Sequence, residues 1–145
     1  MSDFRKLTEG VFASPQITVE DVAEAAEQGV KLVVNNRPEG EAEDQTPGSA
    51  IEVAAKDAGM DYIAIPVTMP GLSDVHVTAM REVLEQAQGP VLAYCRSGTR
   101  STLLWALAQA KAGKEPDAIA EAAAAAGYDV SPIREAMDAY AAQAG

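Results

Sequence analysis

Three times along the chain, a segment typical of a helix is followed at once by a short apolar run. The three pairs of helix and run occupy 18–29 and 30–36, 49–59 and 60–67, and 73–88 and 91–95. Apolar runs of this length that contain β-branched residues are typical of buried strands, and each helix pattern stops at or beside a glycine. Because strands that alternate with helices form parallel sheets through right-handed crossovers, the pattern predicts an α/β fold with a largely parallel sheet flanked by helices.

The rest of the chain adds helices and one short strand. We predict helices over 101–113, 116–126 and 132–143, and a short strand at 11–13. The stretch 37–47 is polar and acidic with two prolines, and we interpret it as a mobile loop whose acidic part is solvated. Since no second domain or repeat is visible, we expect residues 1–145 to form a single domain, large enough to bury a core without disulfides or metals.

The composition is that of a soluble globular protein. Hydrophobic residues make up 48% and charged residues 23% of the chain, and the N-terminal segment MSDFRKLTEG lacks the apolar core of a signal peptide. No apolar stretch approaches the ~20 residues that span a bilayer. We therefore expect a cytoplasmic protein. The net charge of −11 repels phosphate backbones and anionic lipids, so we expect neither a nucleic acid nor a membrane as partner.

The single cysteine, Cys95, ends the third predicted strand. One cysteine and one histidine form neither an internal disulfide nor a Cys/His zinc site, and we expect no metal and no cofactor. Cys95 is therefore either core filler or a reactive thiol. Two of the six arginines, Arg96 and Arg100, follow it closely and create one small positive spot on an acidic chain.

In open parallel sheets, ligands bind at the carboxyl ends of the strands. Here those ends carry Asn36 and Arg37, then 67–71, then 95–100. We expect these three segments to converge, with two of them contributing arginine.

The loop CRSGTRS at 95–101 has the features of an anion-binding nest. Amides between a strand end and a helix N-terminus point at a bound anion, and Gly98 is able to take a positive φ. This environment favours a thiolate at Cys95, while the planar fork of Arg100 suits an oxyanion. We predict that Cys95 and Arg100 are catalytic. The predicted substrate-binding residues are Arg96, Ser97, Gly98, Thr99, Ser101 and Arg37.

The alternative is that Cys95 is a core residue followed by an ordinary turn, since free cysteine is often buried. Cysteine followed by x-x-Gly-x-Arg-Ser between a strand and a helix favours the reactive thiol. That interpretation requires the sulfur to lie at the mouth of a pocket that water reaches.

The loop resembles the active-site loops of two superfamilies. Protein tyrosine and dual-specificity phosphatases have five residues between Cys and Arg, whereas many rhodanese sulfurtransferases read CRSGxRS, with four, as this chain does. Over roughly 5–110, however, VFASPQITVEDVAEAAEQGVKLVVNNRPEGE, GMDYIAIPV and GPVLAYCRSGTRS are similar in order and spacing to compact dual-specificity phosphatases. The greatest similarity is to the beta-lactamase-hydrolase-like phosphatase-like domains, also labelled sulfurtransferases.

This resemblance implies a protein-tyrosine-phosphatase-like scaffold, with Cys95 as nucleophile and 96–100 as the anion-binding loop. Members fused to persulfide dioxygenases imply such a dioxygenase as a partner. Asn36, Arg37 and Glu39 match the family's N-x-R-P-x-x-E-like loop loosely. The phosphatase general acid normally follows the second strand, where Asp74 is the candidate, several residues late; a first-turn acid of a helix is the competing interpretation.

The choice of anion depends on the leaving group. Cleavage of a phosphate ester gains from an acid that protonates the leaving oxygen, typically by a factor of about 10² to 10⁴. Sulfite or a thiolate leaves without protonation. Asp74 lies several residues late for a general acid, and the loop has four rather than five residues between Cys95 and Arg100. Both observations favour sulfur transfer. We expect a rhodanese-like sulfurtransferase that takes sulfur from thiosulfate or a small persulfide and passes it to a thiol. The alternatives are a phosphatase that forms a cysteinyl-phosphate from a phosphate ester, and a non-catalytic oxyanion-binding module.

Overall fold

The computed structural model describes residues 2–144 of the chain. In these residues it contains five strands, six α-helices and one 3₁₀ turn. The strands are β1 (Arg5–Thr8), β2 (Val11–Ser14), β3 (Leu32–Asn35), β4 (Asp61–Ala64) and β5 (Val91–Tyr94). The α-helices are α1 (Val19–Glu27), α2 (Gly48–Asp57), α3 (Asp74–Gln86), α4 (Thr99–Lys111), α5 (Pro116–Ala125) and α6 (Arg134–Ala144), with the 3₁₀ turn at Ser131–Ile133 before α6.

The five strands form one sheet in the order β1-β2-β5-β3-β4. β5 lies in the centre and pairs in parallel with β2 and with β3, and β3 pairs in parallel with β4. Only the edge pair of β1 and β2 is antiparallel among the described strands. The prediction of a largely parallel α/β fold is therefore confirmed. β1 was not predicted because its sequence, RKLT, has a single apolar residue and lies at the sheet edge.

Helices cover both faces of this sheet. In β5, Leu92 and Tyr94 point to the side of α1 and α2, while Val91 and Ala93 point to the side of α3 to α6. A strand that is buried on both faces is apolar at every position, which explains why VLAYC has no polar alternation. None of the helices in residues 2–144 combines the length and the apolar character needed to cross a bilayer.

Helix α4 is the most deeply buried helix of the described chain, and it carries the loop that follows β5. Nine of its residues are buried, among them Trp105 with 2% of its surface exposed. Trp105 therefore packs in the hydrophobic core. The helix begins at Thr99 rather than at Ser101 because Gly98 serves as its N-cap. Loop 95–98 is thus fixed between a buried strand and a buried helix.

Candidate active site

Cys95 lies directly after β5, with its sulfur turned towards the start of α4. Its Sγ accepts a hydrogen bond from the backbone N–H of Gly98, at 3.1 Å, and its own N–H donates to the carbonyl of Ser14 at 3.3 Å. The residue has no exposed surface, 0%. The expectation of a sulfur open to water at a pocket mouth is therefore wrong for this structure. The sulfur is covered, yet an amide donor already points at it.

Gly98 has the conformation that the sequence predicted. Its φ is 92°, in the left-handed region that favours glycine, and an added Cβ would overlap the hydroxyl of Tyr128. The Gly98 carbonyl accepts hydrogen bonds from the N–H of Thr102 at 3.0 Å and from its Oγ1 at 2.8 Å. Neither the backbone nor the packing at this position admits a side chain.

The outer rim of the loop is formed by Arg96, Ser97 and Thr99, which are exposed. The Ser97 hydroxyl donates to Thr99 Oγ1 at 3.0 Å and accepts from the Thr99 N–H at 3.3 Å. The Arg96 carbonyl accepts from the N–H of Gln16 at 3.2 Å. The structure brings these three predicted substrate-binding residues to the loop surface, and their contact with substrate stays a prediction.

Ser101 lies in the first turn of α4 and is fully buried. Its Oγ has no hydrogen-bond partner among residues 2–144. A buried hydroxyl without a partner is costly, so this one is a feature that the fold alone does not explain.

Arg100 joins the three strand ends that the sequence predicted to converge. Its Nη1 donates to the carbonyl of Val67, beyond β4, at 2.8 Å. The same guanidinium donates to both carboxylate oxygens of Glu41, at 2.7 and 2.8 Å. The hydrogen bonds to Glu41, and to a lesser degree the neighbouring Cys95 sulfur, raise the pKa of Arg100. The predicted convergence is confirmed, and an unpredicted carboxylate lies within it.

Arg37 reaches the same carboxylate from the end of β3. Its side chain is 4% exposed, and its Nε donates to Glu41 Oε1 at 2.9 Å. Its Nη1 donates to Gln16 Oε1 at 3.0 Å. Glu41 therefore bridges two arginines, and its hydrogen bonds to Arg100 and Arg37 lower its pKa to about 2 despite partial burial. Glu41 is thus an internal anion between two of the cations of the site.

Loop 38–48 is built to hold Glu41 there. The Glu41 N–H donates to Gln45 Oε1 at 2.9 Å, and Gln45 Nε2 donates back to the carbonyl of Pro38 at 3.0 Å. Glu39 accepts from the N–H of Gly48, the first residue of α2, at 2.9 Å. The acids of this stretch, 39–44, are exposed, as a solvated loop predicts. The sequence did not predict that the carboxylates of Glu39 and Glu41 each have an internal hydrogen-bond partner.

Asp74, the candidate general acid, lies elsewhere. Its Oδ1 accepts hydrogen bonds from Lys111 Nζ at 2.9 Å and from the Tyr140 hydroxyl at 2.7 Å. Lys111 ends α4, about 16 Å of helix beyond Arg100. The same two partners lower the pKa of Asp74, Lys111 most, whereas a general acid needs a raised one. The structure does not bring Asp74 to the loop. The segment 65–73 begins beside Arg100, at the start of α4, and ends beside Lys111, at the end of the same helix.

Sequence reasoning missed three side chains at the site: Glu41, Gln16 and Tyr128. The spacing N-x-R-P-x-x-E carried a signal for Glu41, since it fits Asn35, Arg37 and Glu41 in register, rather than Asn36 and Glu39. Asn35 Oδ1 accepts the N–H of Arg37 at 2.9 Å, whereas Asn36 Nδ2 donates to the carbonyl of Ile65. Gln16 and Tyr128 lie in segments with no local signal.

Comparison with known proteins shows the family and the fold to which this chain belongs. A family model described as "Beta-lactamase hydrolase-like protein, phosphatase-like domain" matches residues 3–112. The beta-lactamase hydrolase-like protein of Agrobacterium fabrum is 34% identical over 109 residues, which are 75% of this chain. This chain spans about a quarter of that relative's length, 25%.

Two solved structures show the same fold. A Neisseria meningitidis protein described as a "putative phosphatase (nma1982)" has a TM-score of 0.85 and 36% identity, covering 97% of this chain and 99% of that one. P. aeruginosa TpbA in complex with pTyr has a TM-score of 0.68 and 18% identity, covering 98% and 90%. With a family model that matches most of its length, this chain belongs to the phosphatase-like domain family of beta-lactamase hydrolase-like proteins.

Proposed function

We propose that this chain is a cysteine-dependent phosphatase of small phosphate monoesters, with Cys95 as its nucleophile. The observation that carries the proposal is the hydrogen bond of 3.1 Å from the Gly98 N–H to the Cys95 Sγ, at the N-terminus of α4. An amide that points at sulfur from the positive end of a helix stabilises negative charge there. The family and the likeness to the N. meningitidis protein support phosphate, rather than thiosulfate, as the substrate anion.

The reaction has two displacements at phosphorus. In the first, the Cys95 thiolate attacks phosphorus, an S–P bond forms, and the P–O bond to the leaving group breaks with its electron pair on the leaving oxygen. In the second, water attacks the phosphocysteine and the S–P bond breaks. The electron pair returns to sulfur, and inorganic phosphate carries the protons of the water.

Arg100 and Arg37 supply the positive charge for the phosphoryl oxygens. Arg100 presents a planar guanidinium beside the sulfur. The side chain of Arg37 is 4% exposed and binds the carboxylate of Glu41, which also binds Arg100. Arg96 is exposed on the rim, where it steers an anion towards the loop. The unpartnered Ser101 hydroxyl offers a hydrogen bond to the phosphoryl group or to sulfur.

Access to the sulfur requires a rearrangement of the residues around it, and we infer that Glu41 takes part. Cys95 has no exposed surface while Glu41 holds both Nη atoms of Arg100. A phosphate monoester dianion brings two negative charges where the carboxylate brings one. It therefore competes well for the arginines, and we expect the Glu41 side chain to move when substrate binds.

The position of Asp74 sets the class of leaving group. Since Asp74 is bound to Lys111 and Tyr140, and Glu41 has a pKa of about 2, neither supplies a proton near neutral pH. A phenolate leaves more readily than an alkoxide without that proton. Aryl phosphates of the phosphotyrosine class are therefore the proposed substrates, and TpbA in complex with pTyr supports this choice.

The test compares aryl and alkyl phosphates on the wild-type protein and on Cys95→Ser. We expect turnover of p-nitrophenyl phosphate, slower turnover of phenyl phosphate, and very slow turnover of an alkyl phosphate. Acid quenching during turnover should leave a phosphoryl adduct on the peptide that contains Cys95. Turnover that persists in Cys95→Ser, or the absence of any adduct, would overturn the proposal.

Sulfur transfer is the second candidate function. Asp74 lies away from the loop, and sulfur transfer, unlike phosphate ester cleavage, does not need a general acid for its leaving group. The comparisons give it no support, nor do they support a dioxygenase partner. Incubation with thiosulfate distinguishes the two: a persulfide on Cys95 that a thiol removes, without aryl phosphate turnover, would favour sulfur transfer. Phosphate binding that survives in Cys95→Ser, without either reaction, would indicate a binding module.

A further inference from the structure

One peptide unit of the loop is held at both of its ends. The carbonyl of Ser97 accepts a hydrogen bond from the hydroxyl of Tyr128 at 3.2 Å. The N–H of the same peptide, which belongs to Gly98, donates to the Cys95 sulfur at 3.1 Å. Tyr128 belongs to the segment between α5 and α6, beyond residues 3–112 that match the family.

We propose that Tyr128 is a positioning residue for the nucleophile, and that its hydroxyl orients the Ser97–Gly98 peptide so that the Gly98 N–H points at the Cys95 sulfur. This inference rests on the proposed function, because it assigns Tyr128 a part in stabilising the thiolate.

The first argument is geometric. A trans peptide is planar, and its C=O and N–H point in opposite directions. A donor that holds the oxygen from one side therefore aims the N–H towards the other side. Since the hydroxyl donates to the carbonyl, it also polarises the peptide, which strengthens the hydrogen bond that the N–H makes to sulfur.

The second argument is the fit between Tyr128 and Gly98. A Cβ on Gly98 would overlap the Tyr128 hydroxyl and lie 2.9 Å from the ring carbon Cζ. The glycine is thus needed for its positive φ and also for the space that the tyrosine occupies. No other described side chain donates to the Ser97 carbonyl.

The third argument is that Tyr128 is itself fixed. It is 8% exposed, and its N–H donates to the carbonyl of Ala123, in α5, at 2.9 Å. The guanidinium of Arg5 lies 5.1 Å from the ring centroid. Burial is the main cause that raises the pKa of Tyr128, so the hydroxyl keeps its proton and remains a donor at neutral pH.

The test is the Tyr128→Phe variant, which keeps the ring and removes only the hydroxyl. Tyr140→Phe is the matched control, because Tyr140 donates to Asp74 instead. The readout is the ultraviolet absorbance of the thiolate as a function of pH, taken as the difference between each protein and its Cys95→Ser counterpart. The chain has one cysteine, so the signal has a single source, and the measurement does not require the buried sulfur to be reached by a reagent.

In Tyr128→Phe, we expect the thiolate absorbance to appear at a pH about 0.5–1 unit higher than in the wild type. In Tyr140→Phe we expect no change. The charged groups beside the pair, Arg100 near the sulfur and Arg5 and Asp3 near Tyr128, are the same in all proteins. A profile that is unchanged in Tyr128→Phe, or one that moves equally in both variants, would overturn the inference.

Turnover of p-nitrophenyl phosphate by the wild type separates this result from the proposed function. If the wild type shows no turnover but Tyr128→Phe still changes the pH profile of thiolate absorbance, the phosphatase proposal is wrong and the role of Tyr128 stands. If the wild type shows turnover but the pH profile is unchanged in Tyr128→Phe, the phosphatase proposal stands and the role of Tyr128 is wrong.

Discussion

The carboxylate of Glu41 accepts hydrogen bonds of 2.7 and 2.8 Å from the guanidinium of Arg100, although the two residues are 59 positions apart in the sequence. Arg37 donates to the same carboxylate at 2.9 Å. The chain has a net charge of −11, and it places one of its acids at the positive spot beside its only cysteine. Any anion that binds at the loop therefore meets an internal competitor.

The first prediction concerns this competition. In Glu41→Gln, a neutral amide replaces the carboxylate, and inorganic phosphate should inhibit aryl phosphate turnover about three- to tenfold more strongly. Glu43→Gln makes the same change of charge in the same loop at an exposed residue, and should leave the inhibition constant nearly unchanged. Weaker inhibition in Glu41→Gln would instead mean that the carboxylate mainly orients Arg100 for the anion.

The second prediction follows from the pKa of Glu41, about 2 in the folded protein against an ordinary value of 4.5. Because the folded value is the lower one, the ion pairs contribute fully above about pH 5, and the contribution is lost as the pH falls towards 2. The side chain is 25% exposed, so the loss should be on the order of 1–2 kcal/mol. Urea unfolding at pH 6 and at pH 3 measures it.

Wild type should exceed Glu41→Gln in free energy of unfolding at pH 6, and the difference should shrink at pH 3. Glu43→Gln provides the comparison, since its difference from wild type should stay small at both pH values. A constant difference between wild type and Glu41→Gln would show that the carboxylate is not ionised preferentially in the folded state.

The sequence predicted the features of this fold that local chemistry determines. The buried strands are apolar at nearly every position, and Gly98 is required by a positive φ, so both are visible in a short window. The convergence of Arg37, Val67 and Arg100 followed from parallel topology alone. These predictions needed no knowledge of how side chains pair across the site.

The partners that tertiary structure brings in were not predictable in this way. Glu41 was interpreted as solvated because an acidic, proline-containing stretch is usually a solvated loop, and only the fold shows that two arginines lie opposite. Tyr128 contacts the loop from 31 positions away, with nothing local to indicate it. Asp74 occupies a plausible place in the sequence, but the path of the segment before α3 carries it away from the loop.

The third prediction concerns Asp74→Asn. Since its carboxylate is bound to Lys111 and Tyr140, the variant should keep kcat/KM for p-nitrophenyl phosphate within about twofold and should be slightly less stable than the wild type. Steady-state kinetics over a range of pH, together with urea unfolding, check both parts. Loss of the pH dependence that a general acid produces would restore Asp74 to the mechanism.

The fourth prediction concerns the first turn of α4, where two neighbouring hydroxyls differ in their bonding. Thr102 Oγ1 donates to the Gly98 carbonyl at 2.8 Å, whereas Ser101 Oγ is buried without a partner in the described chain. Removal of a satisfied hydroxyl costs a hydrogen bond, while removal of an unsatisfied one relieves a desolvation penalty. Thr102→Val should therefore lose about 1 kcal/mol of stability, and Ser101→Ala should keep its stability or gain up to about 1 kcal/mol.

Activity should move the other way in Ser101→Ala. If the free hydroxyl serves the bound phosphoryl group or the sulfur, its removal should lower kcat for aryl phosphates about tenfold while the protein unfolds no more easily. Urea unfolding and steady-state kinetics on the same preparations give both values. A residue that is kept for its chemistry is expected to lower the stability of the unliganded protein. If Ser101→Ala is less stable than the wild type and its kcat is unchanged, the hydroxyl stabilises the helix instead.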